Sequence, residues 1–496
     1  GMQYLIGIDM GTQGTKASLY QEDGKAVSHA FEECRLLTGP NGEIEQDPEE
    51  LYGSVIHTIR ELLAKSPNAG ESVAGIAIAA QMAGVMAIDE DWNAVTPYDS
   101  WLDTRCGKYI GLMKDTAENE IIRKTGGQVT YVHGPRILWW KHERPDVYRR
   151  AAKFIMPGVY AAGKLCGLRA EDAYIDYTHL HFTGFADNRG LCWDPGLLRS
   201  FDIEPDKMPR IAAPYERIGT ITAEAAKLTG LKEGTLVAAG CGDSAASSFG
   251  AGVIRPGMIY DVAGTASIFS VSTCQFNPDE EHKTILAARS VVDRLYIPHA
   301  YLSGGGLCVR WMRQIADKSY DEMEEMASKA AGEISDLFFI PHFSGRTCPN
   351  EPNVCGGFTG LSWSHTAGHL YRAVLESIAL EYNEYFGILK EREPDLRPDG
   401  IYGVGGGTKC DLFNQIKADV LGIPYHTLQI EEAGTYGLAV LAGYAAGLYP
   451  DLLESGRHIR IHGSYQPDAR QFAGYQNKTG QYSRLLKNCR NGLDIE

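Results

Sequence analysis

Asp9 ends an apolar β run and opens the turn Gly11-Thr12-Gln13-Gly14, with Thr15 and Lys16 just beyond. The phrase returns far along the chain as Ala263-Gly264-Thr265-Ala266-Ser267. Each copy reads as strand-turn-strand, with runs 4–8 and 17–20 in the first and 258–262 and 268–271 in the second. Glycine lets backbone N–H groups approach a ligand, and a threonine hydroxyl adds a donor. Two such turns suit a polyphosphate gripped from both sides of a cleft. An aspartate at the end of a buried strand must be hydrogen-bonded or face an ion. Asp9 is therefore either a ligand of Mg²⁺, held largely through water, or a turn residue bonding its own loop.

Asp243 follows a strand and a glycine turn in Gly242-Asp243-Ser244-Ala245-Ala246 and opens a small-residue helix. Two roles fit it: a helix N-cap, or a proton acceptor whose pKa the helix N-terminus would depress and so keep ionised. In Gly403-Val404-Gly405-Gly406-Gly407-Thr408, glycines would let a flat adenine or ribose lie against the backbone. Gln81-Met82-Ala83-Gly84 and Trp101-Leu102-Asp103-Thr104-Arg105 stand at strand ends. A Trp face for C–H groups beside an acceptor for hydroxyls suits a polyol; the alternative is a core Trp with a surface Asp–Arg pair. Ser303-Gly304-Gly305-Gly306 carries no assigned role. His133, His179, His181, His342 and His369 lack metal-ligand spacing and read as structural. A P-loop and a Gly-x-Ser-x-Gly elbow are both absent from the sequence.

Strands and helices alternate throughout, which argues an α/β architecture. Strand runs include 75–79, 85–88, 236–239, 337–340 and 400–404, and helical runs 48–65, 367–389, 411–421 and 434–447. At 496 residues two domains are expected. The two hairpins each open one half, implying a duplicated fold divided as 2–245, 246–452 and a helical tail 453–496 with Tyr475 and Tyr482 docked on the body. A net charge of −16 argues against a nucleic-acid partner. No apolar run approaches the ~18 residues of a membrane span, and no basic secretory leader is visible. Gly1 before Met2 reads as a tag remnant. Eleven scattered cysteines without a Cys-x-x-Cys pair suit a reducing cytoplasm, the expected location.

Taken together these segments resemble the carbohydrate kinases named for the Phe-Gly-Gly-Tyr motif (FGGY), which include xylulokinase, glycerol kinase, gluconokinase and ribulokinase. The resemblance runs in order through Ile6-Gly7-Ile8-Asp9, Gln81-Met82, the Trp101 to Arg105 phrase, Gly242 to Ala246, Gly264-Thr265, Pro341-His342-Phe343-Ser344-Gly345-Arg346, Gly405-Gly406-Gly407 and Gly437-Leu438-Ala439. Gly357-Phe358-Thr359-Gly360-Leu361 followed by His369-Leu370-Tyr371-Arg372 matches one family signature. Gly134-Pro135-Arg136-Ile137-Leu138-Trp139-Trp140 matches another, with Arg136 where lysine is usual.

The resemblance implies two ribonuclease-H-like domains of the actin and hexokinase type flanking a central cleft. It makes Asp243 the catalytic base, puts Asp9 and Asp243 near Mg²⁺, and brings Thr12 and Thr265 to the phosphates. It places Gly406, Gly407 and Asn414 around the adenosine, and Gln81, Met82, Trp101 and Asp103 around the sugar. The phrasing is nearest the xylulokinase branch, where His usually follows Gln-Met. Here Ala83 stands in its place, so one side chain that would bind sugar is missing, and 176–182 could supply a replacement. The expected activity is ATP-dependent phosphorylation of a ketopentose or related polyol, with gluconate, ribulose or a deoxy-ketohexose as alternative acceptors. An actin-like ATPase or phosphatase and a non-catalytic sugar-sensing protein are the readings of other classes. Expected partners are the sugar and ATP, with no membrane and, by family analogy, a homodimer.

Overall fold

The computed structural model describes residues 1–330, 332 and 334–491. The chain packs as two compact units, each discontinuous in sequence: 1–254 with 287–296 and 431–459, and 255–286 with 297–430 and 460–496. The sequence reading divides the chain in order as 2–245, 246–452 and 453–496; in the structure 431–459 packs with the first unit. The reason is visible at Gly7, where a Cβ would lie 2.1 Å from the carbonyl oxygen of Thr435. Helix Ala433–Ala445 thus lies directly on the first strand.

The first unit is built on a seven-stranded sheet of β1 (Tyr4–Met10), β2 (Gly14–Gln21), β3 (Ala26–Glu33), β4 (Val73–Ala80), β5 (Arg217–Thr220), β6 (Leu236–Ala238) and β7 (Cys241–Gly242). Its order is β5-β6-β4-β1-β2-β3, with β7 continuing beside the end of β4. β1 pairs parallel with β4 and antiparallel with β2, and β2 pairs antiparallel with β3. β1 is apolar on both faces because helices cover both: Ile6 and Ile8 join the core that contains Val55 and Ile59 of helix Pro48–Lys65. Leu5, Gly7 and Asp9 alternate to the face of helix Ala433–Ala445. Helix Pro48–Lys65 begins as expected, with Asp47 accepting from the Glu49 amide and Pro48 at the first position.

The second unit repeats the plan with β8 (Met258–Ala263), β9 (Ser267–Val271), β10 (His299–Leu302), β11 (Gly400–Val404), β12 (Tyr425–Leu428) and β13 (Ile461–Tyr465) in the order β10-β9-β8-β11-β12-β13. Its senses match: antiparallel along β10-β9-β8, parallel along β8-β11-β12, antiparallel at β13. The duplication expected from the paired hairpins is present at the level of the sheets. One connection differs, since β5 precedes its neighbour in the chain and β13 follows its own. Helix Ala469–Asn491 docks through Tyr475 and Tyr482, both fully buried, whose hydroxyls donate to Glu376 (2.5 Å) and Glu381 (2.7 Å). Residues 492–496 of the expected tail lie outside the described residues. Among the described residues no helix is long and apolar enough to cross a membrane.

Candidate active site

In the first unit the sheet register lines up the ends of three strands. Asp9 pairs with Ala79, and Ala79 with Cys241; Met10 pairs with Ala80, and Ala80 with Gly242. Asp9 and Asp243 therefore sit at the C-terminal ends of strands two spacings apart, about 10 Å across the backbone. This is where ligands gather on such sheets. Both are braced by helix Ala433–Ala445. A Cβ on Gly434 would lie 3.2 Å from Asp9 Oδ2, and one on Gly437 would lie 2.6 Å from the carbonyl of Ala246.

Asp243 is the first residue of helix Asp243–Gly250, and the N-cap is Gly242, without a side-chain cap bond. Its Oδ1 accepts from the Ser244 amide at 2.7 Å, while Ser244 itself is exposed. The carboxylate is half-buried. Its pKa runs opposite to the expectation from the helix N-terminus: burial, then the Asp9 charge, push it up to about 7, against the pull of the Ser244 amide. Desolvation outweighs the hydrogen bonds to the ionised carboxylate here. Asp9 is raised to about 6, by burial first, with Lys16 lowering it and Glu432 raising it. Asp9 Oδ1 is buried and has no hydrogen-bond partner.

Around the first turn, the Gly11 amide donates to Gly14 O at 3.0 Å. The Thr12 hydroxyl donates to Gln81 Oε1 at 3.3 Å and accepts from Trp101 Nε1 at 2.9 Å. Buried Gln46, which the sequence did not single out, donates to Thr12 O (3.2 Å) and accepts from Gln81 Nε2 (2.6 Å). The turn and the loops carrying Gln81 and Trp101 are one hydrogen-bonded assembly. Trp101 is 45% exposed, so it is not a core tryptophan. Met82 packs on Gly242, where a Cβ would meet its sulfur at 2.5 Å. Gly84 is obligatory: a Cβ would lie 2.2 Å from both Asp99 O and the Tyr98 hydroxyl.

Thr15, Lys16 and Asp103, which the motifs bring into question as ligand contacts, each have partners within the protein. Thr15 is fully buried and its hydroxyl meets Ser54 Oγ at 2.6 Å, because the strand alternation aims it at helix Pro48–Lys65. Lys16 is paired with Glu432 at 3.1 Å. Asp103, 1% exposed, spends its oxygens on the Ile44 amide (2.9 Å), the Arg105 amide (3.0 Å) and the Arg105 guanidinium, so it is a strut rather than an open acceptor. Glu45, Asp99 and Asp103 approach one another closely, and Arg105 bridges all three at 2.7–2.9 Å. Ala83 is half-buried with φ +71°, a left-handed backbone that alanine rarely adopts. In the segment 176–182, which could supply a replacement, Thr178 is committed to the protein. Thr178 accepts from the Gly242 amide (3.0 Å) and donates to Asp176 (2.5 Å), buttressing the turn before Asp243.

The second unit holds a cavity of about 550 Å³ lined by Gly264, Thr265, Gly306, Arg310, Tyr320, Glu324, Gly407 and Lys409, among others. Gly264, Thr265, Gly406 and Gly407 come together there as expected. Gly405, at φ +99°, must be glycine because a Cβ would stand 2.6 Å from Ala263 O. Gly306 does have a role: it opens the helix Gly305–Ala316 against the Thr265 turn, with a virtual Cβ 2.2 Å from Gly264 O. Asn414 is fully buried behind the cavity and donates to Thr408 O at 2.8 Å, so it shapes the glycine turn without lining the pocket. The lining by Tyr320, Glu324 and Arg310 was not apparent from sequence, since their helices carry no local nucleotide signature.

Two glycine-threonine hairpins on duplicated sheets, with paired carboxylates on one and a nucleoside-sized cavity on the other, define a phosphotransferase scaffold. The chain belongs to the FGGY family of carbohydrate kinases, matching its N-terminal domain over residues 4–250 and its C-terminal domain over 260–446. It is 27% identical to a gluconokinase of Bacillus subtilis (strain 168) over 90% of this chain and 88% of that one. It is 26% identical to a xylulose kinase of Escherichia coli (strain K12) over 97% and 98%. Among solved structures, a ligand-bound xylulose kinase from Lactobacillus acidophilus superposes with a TM-score of 0.91 at 27% identity, over 100% of this chain and 99% of that one.

Proposed function

We propose that the protein transfers the terminal phosphoryl group of ATP to a hydroxyl of a neutral ketopentose of the xylulose kind. The observation that carries this reading is Asp243, a half-buried carboxylate that does not cap its helix and whose basicity is raised. Phosphoryl transfer asks mainly for positioning and charge stabilisation. The first unit would hold the acceptor: the Trp101 face against sugar C–H groups, Gln81 and Met82 beside it, and Asp243 taking the hydroxyl proton as the new P–O bond forms. The second unit would hold the nucleotide, with the base and ribose along Gly406 and Gly407 and the phosphates at the Gly264-Thr265 turn. Thr12 and the amides of the Gly11 turn would meet the transferring group.

Asp9 and Asp243 fit Mg²⁺, since they are hard oxygen donors and Asp9 Oδ1 is buried without a partner. Bound there, the ion supplies charge neutralisation for phosphate oxygens.

Charge favours a neutral acceptor over gluconate. The cations these loops carry are committed: Lys16 to Glu432, Arg105 to three carboxylates and Arg136 to backbone carbonyls. The gluconokinase relative keeps the acid as a second reading. A coupled ADP-release screen over ketopentoses, pentitols, deoxy-ketohexoses, gluconate and glycerol tests both. The highest kcat/KM is expected with a ketopentose. A gluconate optimum would overturn the neutral acceptor, and sugar-independent ATP turnover would overturn the kinase reading in favour of an ATPase.

A further inference from the structure

We infer that Arg136 is the positioning residue of the acceptor side, tying the turn at Ala83 and the loop of Trp101 and Asp103 into one geometry. The inference rests on the proposed sugar site, but its evidence is independent of which sugar binds. Arg136 is 1% exposed, and a guanidinium cannot be buried without partners for its donors. Its hydrogen-bond partners are four main-chain carbonyls, and the Asp103 carboxylate stands 3.9 Å from Nη1. Nε donates to Ala83 O at 3.0 Å, Nη1 to Asp103 O at 2.9 Å, and Nη2 to Trp101 O at 3.2 Å and Tyr131 O at 2.8 Å. Three of these four belong to the two segments that carry the candidate sugar contacts.

The Ala83 bond bears on conformation directly. An alanine at φ +71° is held there by its surroundings, and such strain persists where neighbours over-determine it. The same helix, His133–Glu143, grips the loop a second time: Trp140 Nε1 donates to Asp99 Oδ2 at 2.6 Å, and Asp99 holds Arg105. A lysine could not reproduce this arrangement. It offers three donors at one point, whereas the planar guanidinium spreads its N–H groups over carbonyls from separate segments.

The test uses the full-length protein with Arg136→Lys, and Arg136→Gln should the lysine variant not fold. The expected result is a rise in sugar KM of about tenfold or more with the ATP KM essentially unchanged. Amide hydrogen exchange should accelerate in peptides covering 81–85 and 100–105, and not in peptides of the second unit. Adding Ala83→Gly, which tolerates positive φ, should recover part of the lost sugar affinity in the lysine background. Wild-type sugar KM and wild-type exchange in a folded variant would overturn the inference, as would a double variant with no recovery. Should the parent protein phosphorylate no sugar at all, the proposed function falls, while the exchange comparison still decides the role of Arg136.

Discussion

Replacing Asp243 by Asn should cripple turnover and, above neutral pH, make the protein more stable. The carboxylate is raised from 3.8 to about 7 because burial and the Asp9 charge disfavour its ionised form. The folded state then binds this proton more tightly than the unfolded chain does. The penalty is absent below pH 3.8, grows as pH rises, and is complete above about pH 7. At 1.36 kcal/mol per pKa unit the ceiling is about 4 kcal/mol. Asp243 is only half-buried and solvent screens it, so we take about 1–2 kcal/mol as the working figure. That corresponds to about 2–4 °C in Tm for a unit of this size. Asparagine keeps the amide contact, since its Oδ1 can still accept from Ser244, and removes only the charge. Thermal denaturation of both proteins between pH 4 and pH 8.5 should show a Tm difference that opens across that window and then levels off. Sugar-dependent ADP formation should fall by about 10²–10⁴, the contribution of a general base, while ATP still protects against unfolding. Near-wild-type turnover would remove Asp243 from the proton-accepting role. A Tm difference flat in pH would show that the carboxylate is not held at a cost in the folded state.

Gly306→Ala should impair the nucleotide side alone. Its Cβ would stand 2.2 Å from Gly264 O and 3.2 Å from Thr265 Cα, both backbone atoms, so the Gly264-Thr265 turn must move. Steady-state kinetics should show the ATP KM raised about tenfold with sugar KM unchanged, and an unchanged ATP KM would separate this turn from nucleotide binding. Trp101→Phe keeps an aromatic face but loses the 2.9 Å bond to Thr12 Oγ1. Because the side chain is 45% exposed, Tm should shift little, while sugar KM rises several-fold, by about the worth of one hydrogen bond. A large loss of stability with intact sugar KM would instead mark Trp101 as a packing residue.

What the sequence made readable follows the range of the forces involved. The hairpins of β1–β2 and β8–β9 are local, and glycine spacing with β-branched flanks placed them correctly. Thr15 and Lys16 show where locality ends. Both follow the same turn, and only the strand's partner on each face decides that one meets Ser54 in the core and the other Glu432. Asp103 and Arg105 were recognisable as a pair, but their burial was not, because Ile44, Glu45 and Asp99 arrive from elsewhere in the chain. The pKa of Asp243 went the wrong way for the same reason. Its helix N-terminus is written beside it, whereas the desolvating walls and Asp9 come from distant segments. The family resemblance supplied what locality could not, the pairing of Asp9 with Asp243.

The duplicated sheets show how one scaffold came to carry two different loads. Counting back from each Gly-Thr turn, Asp9 stands two residues before Gly11, and the matching position before Gly264 is Val262. The strand-end carboxylate is thus present in one copy only. The second copy has its own aspartate one place earlier, at Asp261, which strand alternation aims at the opposite face. There it is fully buried against Lys417 (2.5 Å), with the hydroxyls of Tyr382 and Tyr425 donating to it at 2.6 Å. Its oxygens are satisfied and its charge is neutralised, whereas Asp9 keeps a buried oxygen without a partner. The corresponding place in the first copy is Ile8, in an apolar core. A shift of one residue along the strand therefore separates a carboxylate available to an ion from one consumed in holding helices to a sheet. Under the proposed function, that difference would put the metal-facing carboxylate in the first unit alone.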